Sequence, residues 1–89
     1  NQTSPKSNAK SRLSFKQTQA LKTLPEDMAR LQGEIESHRE TLADTGLYAR
    51  HREAFDAAAA ALHAAERNLA AREEEWLALE IKREEIEGG

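Results

Sequence analysis

Leu24, Met28, Leu31, Ile35, His38 and Leu42 follow one another in 4-3-4-3-4 steps, and after a break at Asp44-Thr45-Gly46 a second series returns as Phe55, Ala58, Leu62, Ala65 and Leu69. Side chains recurring every 3.5 residues share one stripe of an α-helix, and such a stripe is buried only against another like it. Two stripes joined by one short turn predict an all-α chain, an antiparallel two-helix coiled-coil hairpin. A hairpin has a seam but no pocket, and general acid-base chemistry needs a desolvating cleft. The chain is therefore expected to be non-catalytic and to act by reaching and touching.

Composition sets the scale of that fold. Eighty-nine residues, 33% of them charged and 38% apolar, make one small domain whose core is a stripe and not a thick interior. With no cysteine there is no disulfide framework to support it. No apolar run approaches the roughly 18 residues of a spanning helix, and the N-terminus lacks the apolar core of a signal peptide. These features predict a soluble, cytoplasmic protein with no membrane partner.

The net charge of −3 conceals a division. Residues 1–24 contain Lys6, Lys10, Arg12, Lys16 and Lys22 and no acid, so the 65 residues that follow carry a net −8. Residues 1–10 are basic, rich in Ser and Asn and poor in apolar side chains. They bury too little to offset the entropy of ordering and are expected to be the disordered end of a linker. An opening of this kind without an initiator Met suggests the C-terminal domain of a longer protein. The hairpin domain is expected over 11–87, with Gly88-Gly89 as a helix stop and tail.

Three helices are expected within it, at about 13–24, 23–43 and 50–87. The first carries Leu13, Phe15, Ala20, Leu21 and Leu24 behind a cap at Ser11 or Ser14. Thr23-Leu24-Pro25-Glu26 then fits a capping box, with proline in a first turn where its missing N–H breaks no intrahelical bond, so the second helix is expected to start at an angle to the first. The third helix, roughly 55 Å against roughly 30 Å for the second, overruns its partner. With Leu42 near Phe55 and Leu24 near Leu69, the stretch holding Trp76, Leu79 and Ile86 is left bare. The short additional N-terminal helix is expected to pack there, at the base of the hairpin, placing Phe15, Leu21 and Leu13 around Trp76 and Leu79 as the one thick apolar cluster.

Several residues invite a chemical role and fit a structural one better. His38 lies on the seam opposite Ala58, and the separations from His38 to His51 and from His51 to His63 are 13 and 12 residues with no second ligand cluster, so no metal is expected. Glu73, Glu74, Glu75, Glu80, Glu84, Glu85 and Glu87 are interleaved with Arg72, Lys82 and Arg83 at helical spacing, the pattern of a solvated, ion-paired face. Neither GxxxxGK[ST] nor GxGxxG occurs, so the chain does not hydrolyse ATP by itself.

The stretch Lys10-Ser11-Arg12-Leu13-Ser14-Phe15-Lys16, followed by Leu24-Pro25, Ala43-Asp44, Leu47-Tyr48 and Glu74-Glu75-Trp76-Leu77-Ala78-Leu79-Glu80, resembles the C-terminal domain of the Uup-type ABC-F ATPases over roughly residues 10–80. The K-x-x-L-S-[FY]-K opening, the L-P corner and the W-x-x-L-E close carry the likeness. The resemblance implies a coiled-coil arm downstream of two ATP-binding cassettes, with ATP and magnesium handled by those cassettes and no cofactor in this domain. It also implies binding of DNA without strong sequence preference, or of RNA on the ribosome.

By that resemblance, phosphate contacts fall on the basic opening at Lys10, Arg12, Lys16 and Lys22. Cations gain affinity for a phosphate backbone by releasing condensed counterions, and these few would give weak, salt-sensitive binding. A second basic-aromatic candidate lies at the hairpin tip, at Tyr48, Arg50 and Arg52 beside His51. Two alternatives stand beside nucleic-acid binding. The basic segment could dock in cis, with Lys16 or Lys22 on the glutamates near Trp76, and the domain could be a structural hairpin that binds its own ATPase cassettes or a ribosomal protein. Open seams also pair between chains, but the short turn favours self-pairing, and the isolated domain is expected to be a monomer.

Overall fold

A computed structural model describes residues 12–88 of the chain. Three helices follow in order: α1 over Phe15–Leu42, a single turn α2 over Leu47–Arg50, and α3 over Arg52–Gly88. α1 and α3 run antiparallel against each other, and the molecule measures 62 × 25 × 15 Å. The expected all-α helical hairpin is what forms. Lys10 and the rest of the basic lead, with the alternative cap at Ser11, lie outside the described residues.

α1 begins where its sequence can satisfy the free amides of a first turn. Ser14 Oγ accepts from the Gln17 backbone N–H at 3.0 Å, and Gln17 Oε1 accepts from the Ser14 N–H at 3.0 Å, a reciprocal capping box. From that cap the helix continues for 28 residues with Pro25 inside it. The expected break at Thr23–Glu26 does not occur, and no separate helix ends at Leu24. The reason is phase: Leu21, Leu24, Met28 and Leu31 are spaced 3-4-3, so one uninterrupted helix carries all four onto α3, with Leu24 and Leu31 buried and Leu21 and Met28 half-buried. That packing outweighs the backbone bond that Pro25 cannot donate, a defect that costs about 3 kcal/mol in an unsupported helix interior.

The core sits in the middle of the hairpin. Leu31 and Ile35 from α1 close over Ala65 of α3, with Leu62 and Leu69 packed beside them. Ala65 has no bulk beyond its Cβ, which lets two branched side chains reach the backbone of the opposite helix. The base of the hairpin is thinner than expected. Phe15 is 79% exposed and does not pack around Trp76 and Leu79, which are themselves half-buried. The first turns of α1 nevertheless cover the end of α3: Lys82 Nζ donates to Gln17 Oε1 at 3.3 Å, and Leu13 and Leu21 line a groove with Ile86. The overrun is thus covered by α1 itself, in a register that sets residue 17, not residue 24, against the far end of the partner. Gly88, expected in the tail, closes the last turn of α3.

Leu31→Ala should lower the unfolding free energy by about 2–3 kcal/mol, because the site opens on one side and can partly collapse. Pro25→Ala should act the other way and raise the melting temperature, restoring an intrahelical donor in a helix that already exists. Thermal unfolding followed by circular dichroism at 222 nm reads both, and a Pro25→Ala variant that melts lower would contradict the continuous α1.

Candidate nucleic-acid interface

The candidate residues fall into two groups at opposite ends of the hairpin. At the base, Arg12 and Lys16 flank the α1 cap and Lys22 lies two turns further on, all three exposed. None of them makes an ion pair among the described residues, so the alternative in which Lys16 or Lys22 docks on the glutamates near Trp76 is not seen. The contrast with the other arginines is informative: six of the seven, Arg30, Arg39, Arg50, Arg52, Arg72 and Arg83, lie within 4.0 Å of a carboxylate oxygen, and among the described residues only Arg67 does not. Arg12 and Lys22 also rim the groove between the helices, about 470 Å³ in volume, with Leu13, Leu21 and Ile86 as its apolar wall and Arg83 on its far side. Arg83 is held there by Glu80 and by Glu87 at 2.8 Å, and this double pairing raises its pKa.

At the tip the cations are already engaged. Asp44 Oδ1 accepts from the Gly46 backbone N–H at 3.0 Å, and its Oδ2 takes Arg50 Nη2 at 2.9 Å. The Arg50 hydrogen bond, reinforced by that of Gly46, holds the Asp44 carboxyl below its ordinary range and raises the pKa of Arg50 in return. α2, with Gly46 as its N-cap, ends at a break at His51, whose φ of −150° and ψ of 76° leave the helical region. The chain restarts at once: His51 Nδ1 accepts the Ala54 N–H at 3.3 Å and its carbonyl accepts the Phe55 N–H at 3.1 Å, so His51 serves as the cap of α3. The expectation of a single helix from about residue 50 did not anticipate this capping role, because histidine is not among the residues usually found there.

Tyr48 and Arg52 complete the tip. The Tyr48 ring meets Phe55 edge-on, 5.1 Å between centroids at 87°, while Arg52 Cζ lies 4.4 Å above it and its guanidinium reaches Asp56 at 3.4 Å. Tyr48 is therefore engaged by a cation over its ring and by a second aromatic ring at a right angle. The tip residues are brought together, but as a small structural cluster that pins the turn. Tyr48 keeps about half of its surface exposed. Beyond these sites, no cluster of three His, Asp or Glu side chains able to hold a metal ion occurs among the described residues.

A family model described as the ABC transporter C-terminal domain matches residues 12–81. No curated protein and no solved structure matches the chain.

The tip network has a pH signature. A depressed carboxyl contributes stability that is present above the unfolded-state pKa of about 3.9 and is lost as pH falls through the lower folded value. In a carbon-detected NMR titration Asp44 should thus protonate at lower pH than an aspartate in an unstructured peptide. Arg50→Gln should move it back up; an Asp44 titration indifferent to that change would show the pair to be absent in solution.

Proposed function

The chain belongs to the ABC transporter C-terminal domain family, and from that premise we propose that it is the nucleic-acid-binding arm of a Uup-type ABC-F ATPase. The ATP-binding cassettes lie upstream of such an arm, and ATP and magnesium belong to them, so the domain itself is non-catalytic. No helix among the described residues is long and apolar enough to cross a membrane, in keeping with an arm that serves a cytoplasmic ATPase.

The observation that carries the reading is the state of the cations at the base. Arg12, Lys16 and Lys22 are exposed and carry no ion pair among the described residues, whereas most arginines elsewhere already neutralise a carboxylate of their own chain. A paired cation must give up its partner to bind phosphate; an unpaired one releases only condensed counterions from the nucleic acid. The tip is the weaker contact for the same reason, since Arg50 and Arg52 are spoken for by Asp44 and Asp56. The acidic outer face of α3 would be repelled by a phosphate backbone, so the hairpin approaches with the α1 side of its base. DNA and structured RNA both present that backbone.

A second reading, a hairpin that docks on its own cassettes or on a ribosomal protein, is favoured by a different surface. Leu77 and Ile81, 53% and 49% exposed, stand one turn apart on α3. They are flanked by Glu73, Glu74, Glu84 and Glu85, which make no ion pair among the described residues. Aliphatic side chains among free carboxylates suit a basic protein surface and not a nucleic acid.

Titration of duplex DNA and of tRNA at several salt concentrations separates the two. Binding through the base should weaken steeply with salt, and replacing Lys10, Arg12, Lys16 and Lys22 by Ala should lower the log–log salt slope by about 3–4. Retention of the full slope in that variant would overturn the assignment to the base. Absence of any shift near physiological salt would favour the docking reading.

A further inference from the structure

We infer that Phe15 is a stacking platform for an unpaired base, so that the base of the hairpin prefers single-stranded nucleic acid over an intact duplex. The inference rests on the nucleic-acid reading above and adds to it the kind of strand recognised.

Phe15 is the most exposed of the large apolar side chains, at 79%. Its exposure is not for want of apolar surface nearby, because Leu13 and Leu21 turn into the groove with Ile86. It is a consequence of phase: Phe15 is the first residue of α1, and the Ser14–Gln17 capping box fixes where the helix starts and hence which way its first residue points. The seam stripe of α1 runs through Leu21, Leu24 and Leu31, about 160–240° around the helix from Phe15 at 100° per residue. The ring is thereby presented on the side of α1 turned away from α3.

Its neighbours along the chain are polar or cationic, and two of them, Arg12 and Lys22, stand at the rim of the groove. Gln19 and Lys22 follow at i+4 and i+7 and are exposed with it, Lys16 is adjacent in sequence, and Arg12 precedes the cap. The first acid along the stripe is Glu26, at i+11. A rigid aromatic face set among unpaired cations is the combination that binds single strands: the cations hold the phosphates and the ring takes the π-face of a base. A duplex offers the same phosphates, but its bases are stacked on one another and have no free face.

Fluorescence anisotropy with a labelled oligothymidylate of about 15 nucleotides and with a duplex of about 15 base pairs tests this on the 89-residue chain. Phe15→Ala is expected to weaken oligothymidylate binding by about 5- to 100-fold. Duplex affinity and the salt slope should stay unchanged, and Phe15→Tyr should restore the lost affinity. The exposed position means that helical content, read by circular dichroism, should not move. If Phe15→Ala weakens neither probe, or weakens both equally, while the Lys16→Ala and Lys22→Ala changes still reduce binding, the stacking role is overturned and the nucleic-acid arm stands. If the unaltered chain binds neither probe at low salt, the nucleic-acid reading falls and the stacking role with it.

Discussion

The closure of Leu31 and Ile35 over Ala65 is the contact on which the rest of the hairpin depends. A two-helix protein shields each side chain from one direction only, so most of its seam stays half-buried and supplies correspondingly little stabilisation. At Ala65 a small residue on one helix faces branched residues on the other, and that contact excludes most of the water. Leu24, Leu31, Ile35 and Ala65 are the only buried residues among those described. The alanine-rich first half of α3 is therefore more than a consequence of helix propensity. It sets the interhelical distance that brings Arg39 to Glu66 at 3.2 Å and, further down, Lys82 to Gln17.

The hairpin was legible because its heptads are; the break at Pro25 was expected because proline chemistry is local and the heptad phase is not. Read backwards from Leu24, the ladder continues without a stutter through Leu21 to Gln17, and read forwards from Leu69 it continues through Arg72, Trp76, Leu79 and Arg83 to Ile86. Every one of these positions is half-buried or buried. The polar residues at Gln17, Arg72 and Arg83 disguised the stripe, although a long arginine or glutamine stem covers a seam well while its head stays wet. Continuous phase on both sides of a proline was the signal that one helix, and not two, would form.

The candidate site was legible in its charges and not in its aromatics. A segment with five cations and no acid is visible in the sequence, but whether those cations are free depends on side chains brought from elsewhere in the fold. The tip arginines drop in weight for that reason: Asp44 and Asp56 lie close enough to claim them. Phe15 was expected to be buried because phenylalanine usually is. Its exposure follows from the helix start at Ser14, which a sequence offering caps at Ser11, Ser14 and Thr23 leaves open.

Gln17 joins two parts of the molecule that are far apart along the chain. Its side-chain oxygen closes the capping box of α1 and also receives Lys82 from the last turns of α3, so the place where the chain enters the hairpin is tied to the helix that leaves it. A turn imposed on the preceding segment would pass to both helices together, and the hairpin would swing as one lever. Over its 62 Å length, a rigid-body rotation of about 10° at the base carries the tip through roughly 10 Å. Small motions upstream would thereby become large displacements of the Tyr48 turn.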